Sequence, residues 1–261
     1  MQEEEITTMV CFHDLLGFGN MVSVSGGTLS SAVGEIAHKR IGMLRETVNE
    51  ISNDFPDGTK LFQMNDSAIA VCDLDYNIGS MHIDSGSIVS QPPPAEVAKK
   101  ALEFVCASSK LHQRTIQKES ESKIGPAGRS FIVLGKRWPV KQFDDQVTDV
   151  PELQANLAYS EAYAADTAGS KLGFGGRAWD SIYINDMMWF LMSISKTVIP
   201  NEINNLNANL SCSPGVEFPQ KIIAPKNNKP IEIDIFHRKR TFHCVMSHHA
   251  IGISDAMQPK V

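Results

Sequence analysis

Two aspartates, Asp14 and Asp66, stand where predicted strands end, a setting that is typical of metal ligands. Asp14 follows an apolar, β-prone run in TTMVCFHDLLGFG, and Asp66 separates two β-prone runs in GTKLFQMNDSAIAVCDLD. Mg²⁺ prefers oxygen ligands and usually takes one or two carboxylates together with substrate phosphates. Two such ions can clamp the attacking and leaving oxygens of a displacement at phosphorus. The pair therefore favours metal-assisted phosphate chemistry, and the alternative is two solvated turn residues.

The two aspartates are far apart in the chain, so only a sheet can bring them together. Residues 6–13 form a nearly continuous apolar run, which predicts a strand buried on both faces. Residues 59–64 and 67–72 predict a hairpin whose tight turn holds Asn65 and Asp66. If the first strand lies beside this hairpin, the two carboxylates meet at one end of the sheet.

The glycines after Asp14 indicate a second phosphate-binding element. Gly17 and Gly19 allow backbone N–H groups to approach phosphates closely, and a helix starting there would add its dipole. A plain strand-to-helix turn explains the same two glycines equally well.

The remaining pattern defines the elements that must position these residues. Apolar residues at helical spacing predict helices at 29–53, 95–118 and 155–168, and one capped by Asn185 or Asp186. Thr28 or Ser30 is the expected cap of the first helix. Further strands are expected at 130–135, 181–184, 221–224 and 231–236, and loops at 77–94 and 200–215. This order predicts an α+β sandwich with helices on one face of a mostly antiparallel sheet.

Composition limits the classes of protein that fit. The chain has 261 residues, 42% of them hydrophobic and 21% charged, which indicates a folded protein. A net charge of −6 argues against nucleic-acid binding. No apolar run is long enough for a membrane span, and the acidic N-terminus lacks a signal-peptide core. The five cysteines have neither zinc-site nor disulfide spacing, so a cytoplasmic, reduced protein is expected.

Three short motifs resemble those of class III nucleotidyl cyclases. FHDLLGF (12–18) is similar to the family's first-strand pattern F-x-D-I-x-G-F, and NDSAIAV (65–71) resembles its second metal-aspartate hairpin. FIVLG (131–135) lies where the family has its central strand. The resemblance covers about residues 8–186 in element order. It is nearest to the bacterial pyrimidine cyclases of the Pycsar antiphage system, because of the D-L-L-G-F and x-D-S sequences.

The resemblance implies a fold, an activity and partners. The expected fold has a ferredoxin-like core in a single domain (1–261), with a core at about 6–200 and a strand-rich extension at about 201–261. The expected assembly is a head-to-tail homodimer. The expected reaction converts UTP, or CTP, to the 3′,5′-cyclic nucleotide and pyrophosphate, and a separate effector would read this product. Adenylate or guanylate cyclase activity and a catalytically silent nucleotide-binding or scaffold domain are the alternatives.

The resemblance also assigns residues. Asp14, Asp66 and the carbonyl of Leu15 match the ligands of two Mg²⁺ or Mn²⁺ ions, and the turn Leu16–Phe18, which includes Gly17, matches the triphosphate loop. Phe62 matches the base-selecting position, where an aromatic ring can stack on a base but cannot donate a hydrogen bond to it. Lys60 points to the same face and is the other candidate, and core packing is the alternative role of Phe62.

One departure concerns the charge that stabilises the transition state. The family carries an N-x-x-x-R pair on its fourth helix, and the best alignment places Ser160 and Ala164 there. Asn156 is the candidate for the amide. Arg177 is the candidate for the cation, because arginine suits phosphate geometry, and Arg129 is a further one.

The C-terminal segment HRKRTFHC (237–244) is rich in basic side chains. HRKR is expected either to contact triphosphate or to form a solvated strand edge. A metal site with His243, Cys244, His248 and His249 is an alternative, although the spacing fits no common motif. MMWFLM (187–192) is expected to belong to the core or to a dimer interface.

Overall fold

The computed structural model of the protein describes ten stretches of the chain, namely 5–77, 82–84, 87–89, 92–124, 128–139, 150–172, 181–195, 197–202, 231–235 and 237–247. In chain order, the elements are β1 (Ile6–Leu15), α1 (Phe18–Val24), α2 (Ala32–Ile51), β2 (Lys60–Met64), β3 (Ser67–Leu74), β4 (His82–Asp84), β5 (Ser87–Val89), α3 (Ala95–Ser122), β6 (Gly128–Arg137), α4 (Leu157–Leu172), β7 (Ser181–Asn185), α5 (Asp186–Ser195), β8 (Ile231–Ile235) and β9 (Arg238–Ser247).

Seven strands form one mixed sheet in the order β2-β3-β1-β6-β7-β9-β8. β6 and β7 run parallel, and the other neighbouring pairs run antiparallel. The predicted α+β class with a mostly antiparallel sheet is therefore confirmed. β1 lies beside β3 of the hairpin, as predicted, and β6 lies on its other side. The strand extends to Leu15, so that Asp14 lies inside the strand rather than after it.

Helices cover both faces of the sheet, so the prediction that they lie on one face is wrong. Alternate β1 residues such as Met9 and Cys11 face a core formed with α2, α3 and α5. The residues between them, Val10 and Phe12, face a second core formed with α4. β1 is a continuous apolar run because both faces of the strand are buried.

The two long helices behind the sheet follow the predicted apolar stripes. α2 begins after Ser31, whose hydroxyl oxygen accepts a hydrogen bond from the Gly34 N–H at 3.0 Å. The predicted caps Thr28 and Ser30 are wrong, because the chain turns once more before the helix begins. No helix in the described stretches is both long and apolar enough to cross a lipid bilayer.

α4 lies close to the sheet because the contact is made of small residues. Its inward face carries Ala158, Ala162 and Ala165, all buried. Gly135 of β6 lies opposite, and a Cβ there would stand 3.0 Å from the Cβ of Ala158. This short distance places the polar side chains of α4 within reach of those on β1 and β6.

The C-terminal strands complete the main sheet. β8 confirms the strand predicted at 231–236, whereas β9 was not predicted as a strand. Among the described strands, β7 pairs only with residues 242–247 of β9, so HRKR (237–240) has β8 as its strand neighbour on one side only, which agrees with the interpretation of HRKR as a solvated strand edge. Two of its cations also pair with acids: Arg240 with Glu161 of α4, at 3.1 Å, and Lys239 with Glu232.

Other predictions have mixed outcomes. The segment 77–94 is not only loop, since β4 and β5 pair as a separate two-stranded sheet. Asn185 caps α5 as predicted, because its Oδ1 accepts from the Met188 N–H at 3.0 Å. Three residues of MMWFLM are buried in the core, namely Met188, Leu191 and Met192. The predicted strand 221–224, most of the loop 200–215 and Arg177 lie outside the described residues.

Strand register places two functional rows on opposite faces of the sheet. On the α4 face, Asp14 lies between Ser67 of β3 and Arg129 of β6. On the other face, its neighbour His13 lies beside Ser130 and fills the space next to Gly128. Because the two residues are adjacent in β1, a displacement of His13 would also displace Asp14.

Gly128→Ala should destabilise the fold. The added Cβ would stand 2.5 Å from Cε1 of the buried His13, which would have to move. Overpacking of this kind costs about 1–3 kcal/mol, measurable by urea unfolding. Gly42→Ala is the matched control, because no heavy atom lies within 4 Å of its added Cβ. We expect that control to gain about 0.5–1 kcal/mol as a helix substitution. Equal stability of Gly128→Ala and the wild type would contradict the tight fit.

Candidate active site

Asp14 is a half-buried carboxylate fixed by its cross-strand neighbour. Ser67, directly opposite on β3, donates its hydroxyl hydrogen to Asp14 Oδ1 at 2.9 Å. Burial raises the pKa of Asp14, while the Ser67 hydrogen bond and the charges of Arg129 and Arg40 act in the opposite direction. The side chain is thus held in one place with an oxygen still available.

Asp66 occupies the turn between β2 and β3, and a backbone hydrogen bond ties this turn to the end of β1. Asn65 adopts a left-handed conformation at φ 54°, which lets the chain reverse between Met64 and Ser67. The Leu15 N–H then donates to the carbonyl oxygen of Asp66 at 3.1 Å. The fold therefore brings the two predicted metal ligands together.

The two carboxylates repel each other in a partly desolvated setting. Burial and the nearby charge of Asp14 raise the pKa of Asp66 from its ordinary 3.8 to about 6. A site with two such acids favours a bound cation, because a positive charge relieves both the repulsion and the desolvation. The donor set also has the chemistry that Mg²⁺ and Mn²⁺ accept, namely hard oxygens.

A buried ion pair lies beside Asp14 on the same face. Arg129 Nε donates to Asp166 Oδ1 at 2.8 Å, and Arg129 Nη2 donates to the Asp166 carbonyl at 2.9 Å. Burial raises the pKa of Asp166 to about 6, Arg129 opposes this, and Asp14 and Asp66 add to it. The site thus contains three interacting carboxylates and an arginine.

The predicted triphosphate turn connects β1 to α1. The side chains of Leu15, Leu16 and Phe18 are buried, whereas Gly17 is exposed with φ 77°. This left-handed conformation suits glycine, since a Cβ would be strained there. Gly17 is therefore the point of the turn where backbone is accessible from solvent.

Solved structures with a similar fold include nucleotide cyclases. The guanylyl cyclase Cya2 matches with a TM-score of 0.50 at 11% sequence identity, over 94% of this chain and 93% of that one. The adenylyl cyclase CyaB from P. aeruginosa matches with a TM-score of 0.47 at 13% identity, over 97% and 100%. The guanylate cyclase domain of RhGC from Catenaria anguillulae, in complex with GTP, matches with a TM-score of 0.42 at 12% identity, over 94% and 98%.

The chain has a nucleotide cyclase fold. The match to Cya2 carries this assignment, since it spans nearly the whole of both chains. No protein-family model matches the sequence, and no curated protein matches it.

Within this cyclase fold, the predicted base-binding residues share a face with Asp14. Phe62 is opposite Ile69 of β3, partly buried against the core under α4. Lys60 lies two residues earlier on the same face, and its ammonium pairs with Glu152. Phe62 therefore has one packed and one open side, which fits both roles that the sequence left open.

Asn156 lies away from the two aspartates of its own subunit. It begins α4, where its Oδ1 accepts from the Tyr159 N–H at 2.9 Å and its Nδ2 donates to the Glu152 carbonyl at 2.8 Å. It bridges to Arg137, eight residues along β6 from Arg129, which is roughly 25 Å for an extended strand. Ser160 donates to the Asn156 carbonyl, and Ala164 packs against the second core.

The basic C-terminal segment is also remote from the aspartates. The row of cross-strand neighbours that contains Asp14 and Arg129 continues to Ser181 of β7 and Ser247 of β9. Ser247 and Arg240 lie at opposite ends of β9. HRKR therefore lies away from the aspartates of its own subunit, and its expected contact with triphosphate stays a prediction.

His243 of the same segment is already engaged. Its Nε2 lies 2.6 Å from Asp186 Oδ1, and its ring stacks on Trp189. His248 and His249 lie outside the described residues, as does the side chain of Cys244, so the alternative metal site stays untested. Among the residues that the structure describes, no three His, Cys, Asp or Glu side chains converge as a metal site. Two carboxylates are the number Mg²⁺ commonly takes when phosphates complete its shell.

Several site residues were missed from the sequence. On the opposite face of β1, His13 Nδ1 and His112 Nδ1 lie 2.8 and 3.0 Å from Ser130 Oγ. Burial, together with the charge of Arg40, lowers the pKa of His13 to about 3, so His13 is uncharged at neutral pH. Arg40 and Glu119 form a buried ion pair between α2 and α3. The sequence contained one signal for this pair, since Arg40 and Glu119 each occupy a core-facing position on the apolar stripe of their helix.

Asp66→Asn should stabilise the metal-free protein at neutral pH and leave it unchanged in acid. The folded state binds the Asp66 proton more tightly than the unfolded state, because its pKa is about 6 instead of 3.8. The wild type therefore loses stability as pH rises through this window, and the variant does not. Thermal unfolding in chelator should show a midpoint difference above pH 6 that vanishes below pH 4. Asp57→Asn, in the exposed turn before β2, is the control. A difference independent of pH would contradict the assignment.

Proposed function

We propose that the protein is a divalent-metal-dependent nucleotidyl cyclase. The observation that carries this proposal is the pair Asp14 and Asp66, which lie side by side through the Ser67 and Leu15 hydrogen bonds within a nucleotide cyclase fold. Their raised pKa values describe a site that favours divalent cations. A nucleoside triphosphate supplies the phosphate oxygens that two carboxylates leave unfilled.

Asp14, Asp66 and the Leu15 carbonyl would hold two Mg²⁺ or Mn²⁺ ions. Such ions lower the pKa of a ribose 3′-hydroxyl and neutralise charge on the triphosphate. The backbone of the Leu16–Phe18 turn would receive the triphosphate, with Gly17 as its accessible point. Ser67 orients Asp14 through its hydrogen bond.

The reaction is an intramolecular displacement at phosphorus. The ribose 3′-oxygen loses its proton to solvent and attacks the α-phosphorus. The bond from the α-phosphorus to the oxygen that bridges it to the β-phosphate breaks, and pyrophosphate leaves with that electron pair. The products are a 3′,5′-cyclic nucleotide and pyrophosphate. No oxidant or further reactant is needed.

Arg129 is the described cation best placed to stabilise the transition state. It lies next to Asp14 in the sheet, and its two bonds to Asp166 fix the guanidinium. A fixed cation beside the reacting phosphate costs little reorganisation when charge develops. Arg177 stays the alternative cation. Asn156 would contribute only from a second subunit, given its place at the other end of the sheet.

The substrate within this proposal is a pyrimidine nucleotide, with UTP preferred and CTP accepted. Phe62 supports a stacking contact with the base. Resemblance of D-L-L-G-F and x-D-S to the Pycsar cyclases supports the pyrimidine and a role in antiphage signalling. The same resemblance supports a cytoplasmic head-to-tail homodimer whose product acts on a separate effector, and Lys60 is the second base-binding candidate.

A catalytically silent nucleotide-binding domain is the second candidate function. It is favoured by the sequence resemblance, because the best alignment places Ser160 and Ala164 at the α4 positions where the class III cyclases carry an amide and a guanidinium. If Arg129 does not replace that guanidinium, nucleotide binds without turnover.

Purified protein incubated with each of the four nucleoside triphosphates and Mn²⁺ should form cyclic UMP most rapidly, as measured by mass spectrometry. Asp66→Ala should abolish product while circular dichroism shows an intact fold, and Asp57→Ala should keep full activity. Product from ATP or GTP alone would remove the pyrimidine assignment. If no triphosphate yields product although nucleotide binds, the silent domain is correct.

Arg129→Met should lower kcat by roughly 100- to 1000-fold, as removal of one transition-state-stabilising donor does. Arg137→Met is the matched control, because Arg137 also lies on β6 and pairs with an acid, Asp73, with Nε–Oδ1 of 2.8 Å. Asp166→Asn tests the orientation of Arg129, because the amide oxygen can still accept its hydrogen bond while the carboxylate charge is removed. If Arg129→Met and Arg137→Met have equal kcat, Arg129 is not the catalytic cation.

A further inference from the structure

The helical layer behind the phosphate turn contains a buried ion pair that the proposed mechanism does not use. Arg40 of α2 and Glu119 of α3 are 0% and 1% exposed. Arg40 Nε lies 2.5 Å and Nη2 lies 3.2 Å from the two carboxylate oxygens of Glu119. Two-point contact of this kind fixes the plane of the guanidinium.

The third nitrogen of Arg40 reaches the turn after β1. Arg40 Nη1 donates to the carbonyl oxygen of Leu16 at 3.0 Å, and the same nitrogen lies 3.7 Å from the Met21 sulfur. Glu119 thus holds Arg40, and Arg40 holds one peptide group of the turn. The bond joins the helical layer to the segment between Asp14 and α1.

The direction of this carbonyl determines the direction of the next amide. In a planar trans peptide, the C=O of one residue and the N–H of the next point in opposite directions. Because the Leu16 carbonyl points inward to Arg40, the Gly17 N–H points outward. Gly17 is the exposed residue of the turn, so this donor faces solvent on the side where phosphate would bind.

We propose that Arg40 and Glu119 are positioning residues that fix the Leu16–Gly17 peptide so that the Gly17 N–H faces the triphosphate. This inference rests on the proposed function for its ligand. The hydrogen bonds do not depend on that function, since they are formed by residues of α2, α3 and the turn. Arg40 acts through the backbone and does not touch substrate.

Stability alone is a poor reason for this pair. Replacing a buried ion pair by apolar residues of similar volume is often neutral or stabilising, whereas removing one partner is strongly destabilising. α2 and α3 are already joined by surface pairs, including Arg114 with Glu50 and Lys118 with Glu50, at 3.1 and 2.8 Å. An apolar pair would pack the helices equally well but would leave the Leu16 carbonyl without its donor.

The decisive variant is therefore the double change Arg40→Met with Glu119→Leu, which leaves no buried charge unpaired. Arg40→Lys keeps the charge but loses the planar fork. Glu50→Gln is the matched control, since it breaks surface pairs between the same two helices without touching the turn. The unfolding midpoint of each variant shows whether it is folded.

Two readouts separate positioning from simple stability. Hydrogen exchange should accelerate for the Leu15 and Met21 amides, which bond to Asp66 and Gly17 across the turn, while the core of α3 keeps its protection. Affinity for a non-hydrolysable UTP analogue with Mn²⁺ should fall by roughly 10- to 100-fold, as for loss of an outer-shell partner. Arg40→Lys should be intermediate in both, and Glu50→Gln should match the wild type.

A folded double variant with wild-type exchange at the turn and wild-type nucleotide affinity would overturn the inference. Faster exchange with unchanged affinity would overturn the link to phosphate. If the wild type bound no nucleotide, the proposed function would fail, and the exchange comparison would still decide whether the pair holds the turn.

Discussion

The placement of β1 between two antiparallel partners is the constraint on which the candidate site depends. Register with β3 sets Ser67 opposite Asp14, and register with β6 sets Arg129 on its other side. A shift of one residue would move Asp14 to the opposite face and His13 into the site. Because β1 is buried on both faces, such a shift would also misplace two hydrophobic cores. Packing of apolar residues therefore specifies where the charges lie.

The site combines carboxylates that repel one another with arginines that are fixed by other acids. Burial raises the pKa of Asp14, Asp66 and Asp166, and the charges of nearby arginines partly compensate. An arrangement of this kind is less stable without a cation than with one. Binding of a cation would relieve both the desolvation and the repulsion of these carboxylates.

Most of the sheet and the two aspartates could be predicted from the sequence, because their signals are local. An apolar run, an Asn-Asp turn and a second apolar run define β1, β2 and β3 and place Asp14 near Asp66. Arg129 with Asp166 and Arg40 with Glu119 depend on tertiary packing, so spacing could not pair them. α4 was assigned to the wrong face because a helix stripe does not say which side of a sheet it covers. β9 was missed because its first residues are charged and pair with α4 and β8.

The alanine and glycine contact between α4 and β6 determines the tilt of that helix, and thereby the position of its far end. Ala158 rests on Gly135 near the start of the helix, and Asp166 lies about 12 Å further along at 1.5 Å per residue. A larger side chain at the Ala158–Gly135 contact would tilt the helix. The resulting displacement would be larger at the far end, where Asp166 orients Arg129. The close contact of Ala158 with Gly135, although remote from the aspartates, thus helps to determine the orientation of the Arg129 guanidinium.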